Sequence, residues 1–290
     1  LSAVFYTTAV LALLGLAIVL LAVPKAQQVR VGQAETGAVP RLFSRSLKDP
    51  ALMRLNVGVF ALHFILMAVF VSVPSVMAGQ MGLERDSHWQ VYLPTLVLSI
   101  AGMVPLMILA ERKGRLRLAF LMAVLMVLLA QGPLSGAIGI VPFYLALWLF
   151  FVGFNYLEAS LPSLVSKTVY AGGRGTALGI YSTFQFLGAF AGGAVGGWVF
   201  GHYGGWGVAI VSALVALLWW VVCLGMTAPR NLTNLVVNLP LDETDKTRAQ
   251  WLSGLGEAPG VADLMVLDDS SAVYLKVDET IFDDSILPQT

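Results

Sequence analysis

The sequence predicts an all-α polytopic membrane protein with a small α+β domain at its C-terminal end, and three observations carry that prediction. The chain is 58% hydrophobic and only 12% charged, where soluble domains run near half apolar and about a quarter charged. Seven apolar runs are each long enough to cross a bilayer. The charge also changes sign along the chain. Up to Arg230 basic residues outnumber acidic ones 14 to 6, and beyond it acidic outnumber basic 11 to 3, so a formal net charge of zero conceals two environments.

Crossing roughly 30 Å of hydrocarbon takes about 20 mostly apolar helical residues. Runs of that kind cover 3–23, 52–78, 91–110, 116–134, 138–165, 176–200 and 206–226. Pro74, Pro94, Pro105, Pro142 and Pro162 fall inside them, which membrane helices tolerate when neighbours satisfy the freed carbonyls. Barrel strands would be about 10 residues long and alternating, and these runs are neither. Trp148, Trp198, Trp206, Trp219 and Trp220 lie mostly toward span ends, where they suit interface anchoring. Cys223, the single cysteine, sits in an apolar run and reads as a small buried or lipid-facing hydrophobe. One cysteine supports neither a disulfide framework nor a Cys-based metal site. Apolar sequence begins at Leu1 without a basic n-region or cleavage site, so it is not read as a signal peptide. The odd span count leads to the expectation that the chain is cut ahead of its first span.

Orientation follows from the cations, which are retained on the cytosolic side. The connections after the first, third and fifth spans carry 12 of them: Lys25, Arg30, Arg41, Arg45, Lys48, Arg54; Arg112, Lys113, Arg115, Arg117; and Lys167 and Arg174. The intervening connections carry only Arg85. That alternation predicts a cytosolic location for the basic loops and for everything past Arg230, in a multi-pass membrane protein. The expected domains are a single span at 1–23, a central cytosolic loop at 24–51, a six-helix bundle at 52–229 and a cytosolic domain at 230–290. Within the central loop, residues 41–48 form either a basic amphipathic helix on the anionic leaflet or a plain solvated connector.

Past the last span the apolar pattern becomes alternating. Residues 232–239 read as a strand, 242–256 as an amphipathic helix, 261–267 as a strand, 268–271 as a tight turn and 272–278 as a third strand. This β-α-β-β order is most of a ferredoxin-like split βαβ unit, and 282–287 are placed to begin a second helix. The domain contains neither cysteine nor histidine, which removes the Cys-x-x-Cys route to metal transfer. Its acidic residues, Asp242, Glu243, Asp245, Asp263, Asp268, Asp269, Asp283 and Asp284, read as a solvated face.

A few polar residues interrupt the spans. Glu158 is the only acid well inside one. A charge at that depth costs about 2.5 kcal/mol or more and by default marks a pathway or proton relay; the structural alternative is an ion pair with Arg112 or Arg115. Asn155, three residues earlier, shares its helix face, and Pro162 leaves the Glu158 carbonyl without its helical donor. Tyr181 and Gln185, four residues apart, share a face that offers hydrogen bonds either to a ligand or to neighbouring helices. His63 is the only histidine at membrane depth; a neutral imidazole bonded to its own helix is the plainer reading and a proton carrier the sharper one. Gly179, Gly188, Gly192, Gly193, Gly196 and Gly197 recur at nearly four-residue spacing. They form a strip for close helix packing, with Gly188, Gly192 and Gly196 at its centre. No nucleophile with a base, metal-ligand cluster or cofactor motif is present, so neither an enzyme nor a bound cofactor is expected.

The stretch LAERKGRLR (109–117) resembles the second-half copy of the major facilitator loop pattern L-a-D/E-R-x-G-R, with Glu111, Arg112, Gly114 and Arg115 at the matching places. Met107 stands where that pattern has a glycine. The runs GFNYLEASLPSLVSK (153–167) and RGTALGIYSTFQFLGAFAGG (174–193) are similar to the tenth and eleventh spans of YajR-type exporters, a group that also carries a ferredoxin-like C-terminal domain. The resemblance implies that the seven spans are the sixth to twelfth of twelve, with five spans of the N-terminal half missing. Substrate would bind between the two halves near the midplane. It further implies secondary transport, with efflux of drug-like or sugar-like compounds driven by a proton gradient. The partners expected are the lipid bilayer, a small-molecule substrate and the missing spans, but no nucleic acid; the fragment alone is expected to be inactive. The alternative is a seven-span receptor or membrane anchor for a cytosolic sensor domain.

Overall fold

The computed structural model describes residues 2–23, 40–136, 139–226, 232–238, 245–266, 272–278 and 280–283. Helix α1 (Ser2–Ala22) is apolar all round, and from Phe5 to Val23 every side chain is exposed except the half-buried Ala17. A helix with this surface belongs in lipid or against another apolar bundle. The first part of the expected central loop, 24–39, lies outside the described residues. Its second part is helix α2 (Pro40–Lys48). The helix is basic and amphipathic, but Leu42 and Ser46 are buried against the bundle, so its inward face meets protein.

Helix α3 (Pro50–Gln80) starts where Asp49 caps it, accepting from the Ala51 and Leu52 amides at 2.8 and 3.1 Å with Pro50 at the first position. Such caps contribute about 1 kcal/mol. Helices α4 (Trp89–Glu111), α5 (Leu116–Leu134) and α6 (Ile140–Thr168) follow. Helix α7 (Arg174–Leu224) runs for 51 residues, which at 1.5 Å per residue exceeds twice the hydrocarbon thickness. It is two spans meeting at Gly204, whose φ of 64° and ψ of −160° suit only glycine. The two predicted spans at 176–200 and 206–226 are therefore continuous but for this bend.

The bundle closes along its glycines. A Cβ on Gly188 or Gly192 would stand 2.3 or 2.2 Å from the carbonyl oxygens of Phe60 and Phe64, and one on Gly196 would stand 2.7 Å from the Ala68 Cα. Positions 60, 64 and 68 of α3 thus lie against 188, 192 and 196 of α7, backbone to backbone. Gly179, Gly193 and Gly197 face open space, which removes them from the expected packing strip. Gly153 performs the same service between α6 and α5, where a Cβ would meet the Ala123 carbonyl at 2.6 Å. Trp219 is fully buried, packed on Gly58 and edge-on to Phe120, so it is a core residue and not the interface anchor expected. Cys223 is buried as a small hydrophobe.

Strands β1 (Thr233–Asn238), β2 (Val261–Val266) and β3 (Ala272–Val277) form an antiparallel sheet in the order β1-β3-β2, with α8 (Asp245–Gly256) between β1 and β2. Two parallel strands split by a third is the ferredoxin-like unit. Val273, Leu275 and Val277 point to one face and pack with Val237 and Leu255. Tyr274 and Lys276 point to the other, which is also covered. Phe282 and Asp283, expected to open a second helix, are not helical; 284–287 and the turn at 268–271 lie outside the described residues.

Candidate functional site

The membrane-depth polar residues come from four helices and fall into a cluster of three and a pair. On α3 the His63 Nδ1 sits 3.1 Å from the Val59 carbonyl one turn back. A carbonyl only accepts, so Nδ1 carries the proton and Nε2 is left as an acceptor. The Gln185 amide of α7 stands 2.9 Å from that Nε2 and 3.3 Å from Glu158 Oε1 of α6. The second carboxylate oxygen, Oε2, lies 3.6 Å from His63 Nε2 and is buried without a hydrogen bond. Glu158 pairs here with His63 and not with Arg112 or Arg115. One turn away on the same face of α6, the Asn155 amide donates to the Ser99 hydroxyl of α4 at 2.8 Å, and Ser99 donates to the Leu96 carbonyl.

Packing fixes these side chains. The Phe154 ring meets His63 edge-on at 6.0 Å, and the α3–α7 glycine seam begins at Gly188, one turn beyond Gln185. The His63 side chain is 11% exposed and that of Glu158 is 38% exposed, so the carboxylate is the member open to the bundle surface. Tyr181, one turn before Gln185, is buried with its hydroxyl unpartnered among the described residues. An acceptor and a donor are therefore left unused beside each other's helices. Such groups cost free energy unless a proton, water or ligand meets them.

The loop pattern is built separately. Helix α4 ends at Glu111, the Arg112 and Lys113 amides return to the Ile108 carbonyl, and Gly114 takes a φ of 62°. This left-handed residue lets α5 start within four residues. Glu111, Arg112 and Arg115 stand exposed, away from Glu158. Arg117 donates to the Leu224 carbonyl and ties the start of α5 to the end of α7. No group of metal-ligating side chains occurs among the described residues.

A second polar site lies where no motif pointed. Lys276 on β3 is buried, and its ammonium donates to the Lys167 and Val169 carbonyls at the end of α6. Beside it Asp263 accepts from the Ala171 amide at 3.0 Å, so this acid is not part of the solvated face expected of it. Gly172, at φ 69°, brings the turn against Tyr274. Tyr170 of the same turn donates to the Leu42 carbonyl, bonds Ser46 at 2.6 Å and carries Arg45 over its ring. Burial pushes the Lys276 ammonium below the usual lysine range, opposed by the charge on Asp263, and burial pushes the Tyr170 phenol up.

Residues 1–193 match the family described as the Major Facilitator Superfamily. The chain is 35% identical over 286 residues to the inner membrane transport protein YajR of Escherichia coli K12, covering 97% of this chain and 61% of that protein. It is 30% identical over 190 residues to the uncharacterized transporter BU466 of Buchnera aphidicola, covering 65% of this chain and 48% of that one. A fungal relative, the agnestins efflux protein of Paecilomyces divaricatus, is 27% identical over 187 residues, covering 62% of this chain and 41% of its own. The chain thus spans between two fifths and three fifths of these relatives.

Proposed function

The chain belongs to the major facilitator superfamily, and from that premise we propose that it serves a secondary transporter of small organic compounds, drug-like or sugar-like, coupled to protons by alternating access. One observation carries the proton coupling. The membrane-depth acid, the membrane-depth histidine and a bridging glutamine converge from α6, α3 and α7, with one carboxylate oxygen left without a hydrogen bond.

A carboxylate at this depth is costly, and protonation removes the cost. Glu158 takes a proton when the bundle opens to one side and releases it when it opens to the other, so the gradient biases the exchange of conformations. The Asn155 oxygen, the Tyr181 hydroxyl and the Gln185 oxygen supply hydrogen bonds to substrate. Substrate in this family type binds between two six-helix halves, and these residues belong to one wall of that cavity. Efflux is the direction that the printed name of the fungal relative supports for that protein, and we extend it to this one. The basic end, bearing the Arg112–Arg115 turn, α2 and the C-terminal domain, faces the cytosol in the bacterial inner membrane.

The test is transport by the intact protein in proteoliposomes, with and without a pH gradient, against a panel of substrates. Glu158→Gln abolishes gradient-driven transport while leaving insertion intact; unchanged gradient-driven transport in this variant removes Glu158 from the role.

A further inference from the structure

We propose that Gln185 is a positioning residue that reads the protonation state of the His63–Glu158 pair, stapling α3, α6 and α7 together while the pair holds no extra proton and releasing them when it does. The inference rests on the reading of this cluster as the coupling site and adds to it the part that moves.

Donors and acceptors around Gln185 can be counted. His63 Nδ1 donates to the Val59 carbonyl, so in the neutral imidazole Nε2 accepts. A carboxylate oxygen also only accepts. The group of Gln185 that faces both must therefore be its NH2 and not its oxygen. That NH2 has two hydrogens, and it lies within reach of two acceptors, His63 Nε2 at 2.9 Å and Glu158 Oε1 at 3.3 Å. The arrangement is saturated, and it fits one state of the pair: neutral imidazole with ionised carboxylate.

A proton arriving from water disturbs it in a defined way. If it settles on Nε2, that nitrogen becomes a donor and can no longer accept from Gln185. The new Nε2–H has Glu158 Oε2 in front of it at 3.6 Å, the oxygen that lacks a hydrogen bond. The pair closes on itself, and the Gln185 hydrogen that bonded Nε2 is displaced. If the proton settles on Oε2 instead, the neutral acid holds Gln185 less tightly than the carboxylate did. In the first case α7 loses its bond to α3 and in the second its bond to α6 weakens; the proton that enters is the one later released, with no other covalent bond made or broken.

Among the described residues no other titratable side chain bonds to the pair. Of the elements packed on it, α7 brings Tyr181 and α4 brings Ser99 through Asn155. The other ionisable groups of α4, Tyr92 and Glu111, sit toward its two ends, and α5 carries only Arg117, at its start. The seam next to Gln185 is the glycine-lined one between α3 and α7, which allows two backbones to slide without side chains to disengage.

The test uses the intact protein with ring-labelled histidine in lipid, read by solid-state NMR, together with its transport pH profile. In the wild type, Nε2 of His63 carries the signature of a hydrogen-bonded acceptor at high pH. Gln185→Met, close in size and lacking donors, removes that signature from Nε2, while Nδ1 keeps its proton on the Val59 carbonyl. It also moves the half-maximal pH of transport upward by about one unit, the tenfold that one net hydrogen bond is worth. Should Gln185→Met lose transport altogether, the NMR signature still decides. An Nε2 signal unaltered in Gln185→Met overturns the staple while leaving Glu158 as the coupling group. Gradient-driven transport surviving Glu158→Gln overturns the coupling site itself.

Discussion

The chain buries charged side chains in two places and treats them in opposite ways. At the end of α6, Lys276 has two carbonyls to donate to and Asp263 has an amide to accept from. Inside the bundle, one oxygen of Glu158 and the hydroxyl of Tyr181 are buried with no hydrogen bond. A buried polar group that is satisfied holds a structure together, and one left unsatisfied leaves free energy for a later partner to recover. The first site is a joint between the bundle and the C-terminal domain. The second is a place where something arrives.

Substitutions at the two sites should therefore separate stability from activity. The largest effect is Glu158→Gln, which removes proton-driven transport but leaves thermal stability in detergent unchanged or raised, since the costly charge is gone. A large fall in melting temperature would make Glu158 a joint as well. Next comes a control on packing alone, using adjacent glycines. Gly192→Ala drives a Cβ into the Phe64 backbone and costs about 1–3 kcal/mol. Gly193→Ala meets open space and is neutral or slightly stabilising, by up to about 1 kcal/mol of helix propensity. Equal effects in an unfolding assay would deny the seam.

Lys276→Met comes third. It weakens docking of the C-terminal domain by about 1–3 kcal/mol through the lost charge-assisted bonds. Hydrogen exchange rises at Ala171, and the bundle stays folded. Tyr181→Phe is smaller still in stability, within about 0.5 kcal/mol, because its hydroxyl bonds to nothing that is lost. A drop in substrate affinity in that variant, measured in the intact protein, identifies the hydroxyl as a substrate contact. The smallest effect is on pH. Burial lowers the Lys276 ammonium below its usual 10.5, so the undocked domain binds the proton more tightly and docking tightens as pH rises through the window just under 10.5. Loosening over that interval would reverse the sign.

The two sites also differed in how plainly the sequence announced them. A lone acid in an apolar run is visible because hydrocarbon makes every charge an exception, so Glu158, His63 and Gln185 could be picked out one by one. Their meeting could not, because 122 positions separate His63 from Gln185 and helix periodicity says nothing about which helix faces which. Ser99 was lost among apolar neighbours for the same reason. The span limits were legible because hydrophobic length is a property of the segment itself. Only the bend at Gly204 needed coordinates, since a pair of glycines does not say which one takes a positive φ. In the C-terminal domain, Asp263 read with the other acids as a solvated face, as it would be in an isolated domain. The Ala171 amide meets it instead, so what read as solvated charge became part of the joint. The six-glycine strip divided in half for the opposite reason, as spacing gave the period and packing chose the phase.

The most direct test of the claim that Glu158 takes up a proton is infrared difference spectroscopy of the intact protein in lipid as the pH is lowered. A protonated-carboxyl band should appear, vanish in Glu158→Gln and persist in Lys276→Met. A band that survives Glu158→Gln unchanged, or the absence of any band in the wild type, would contradict it.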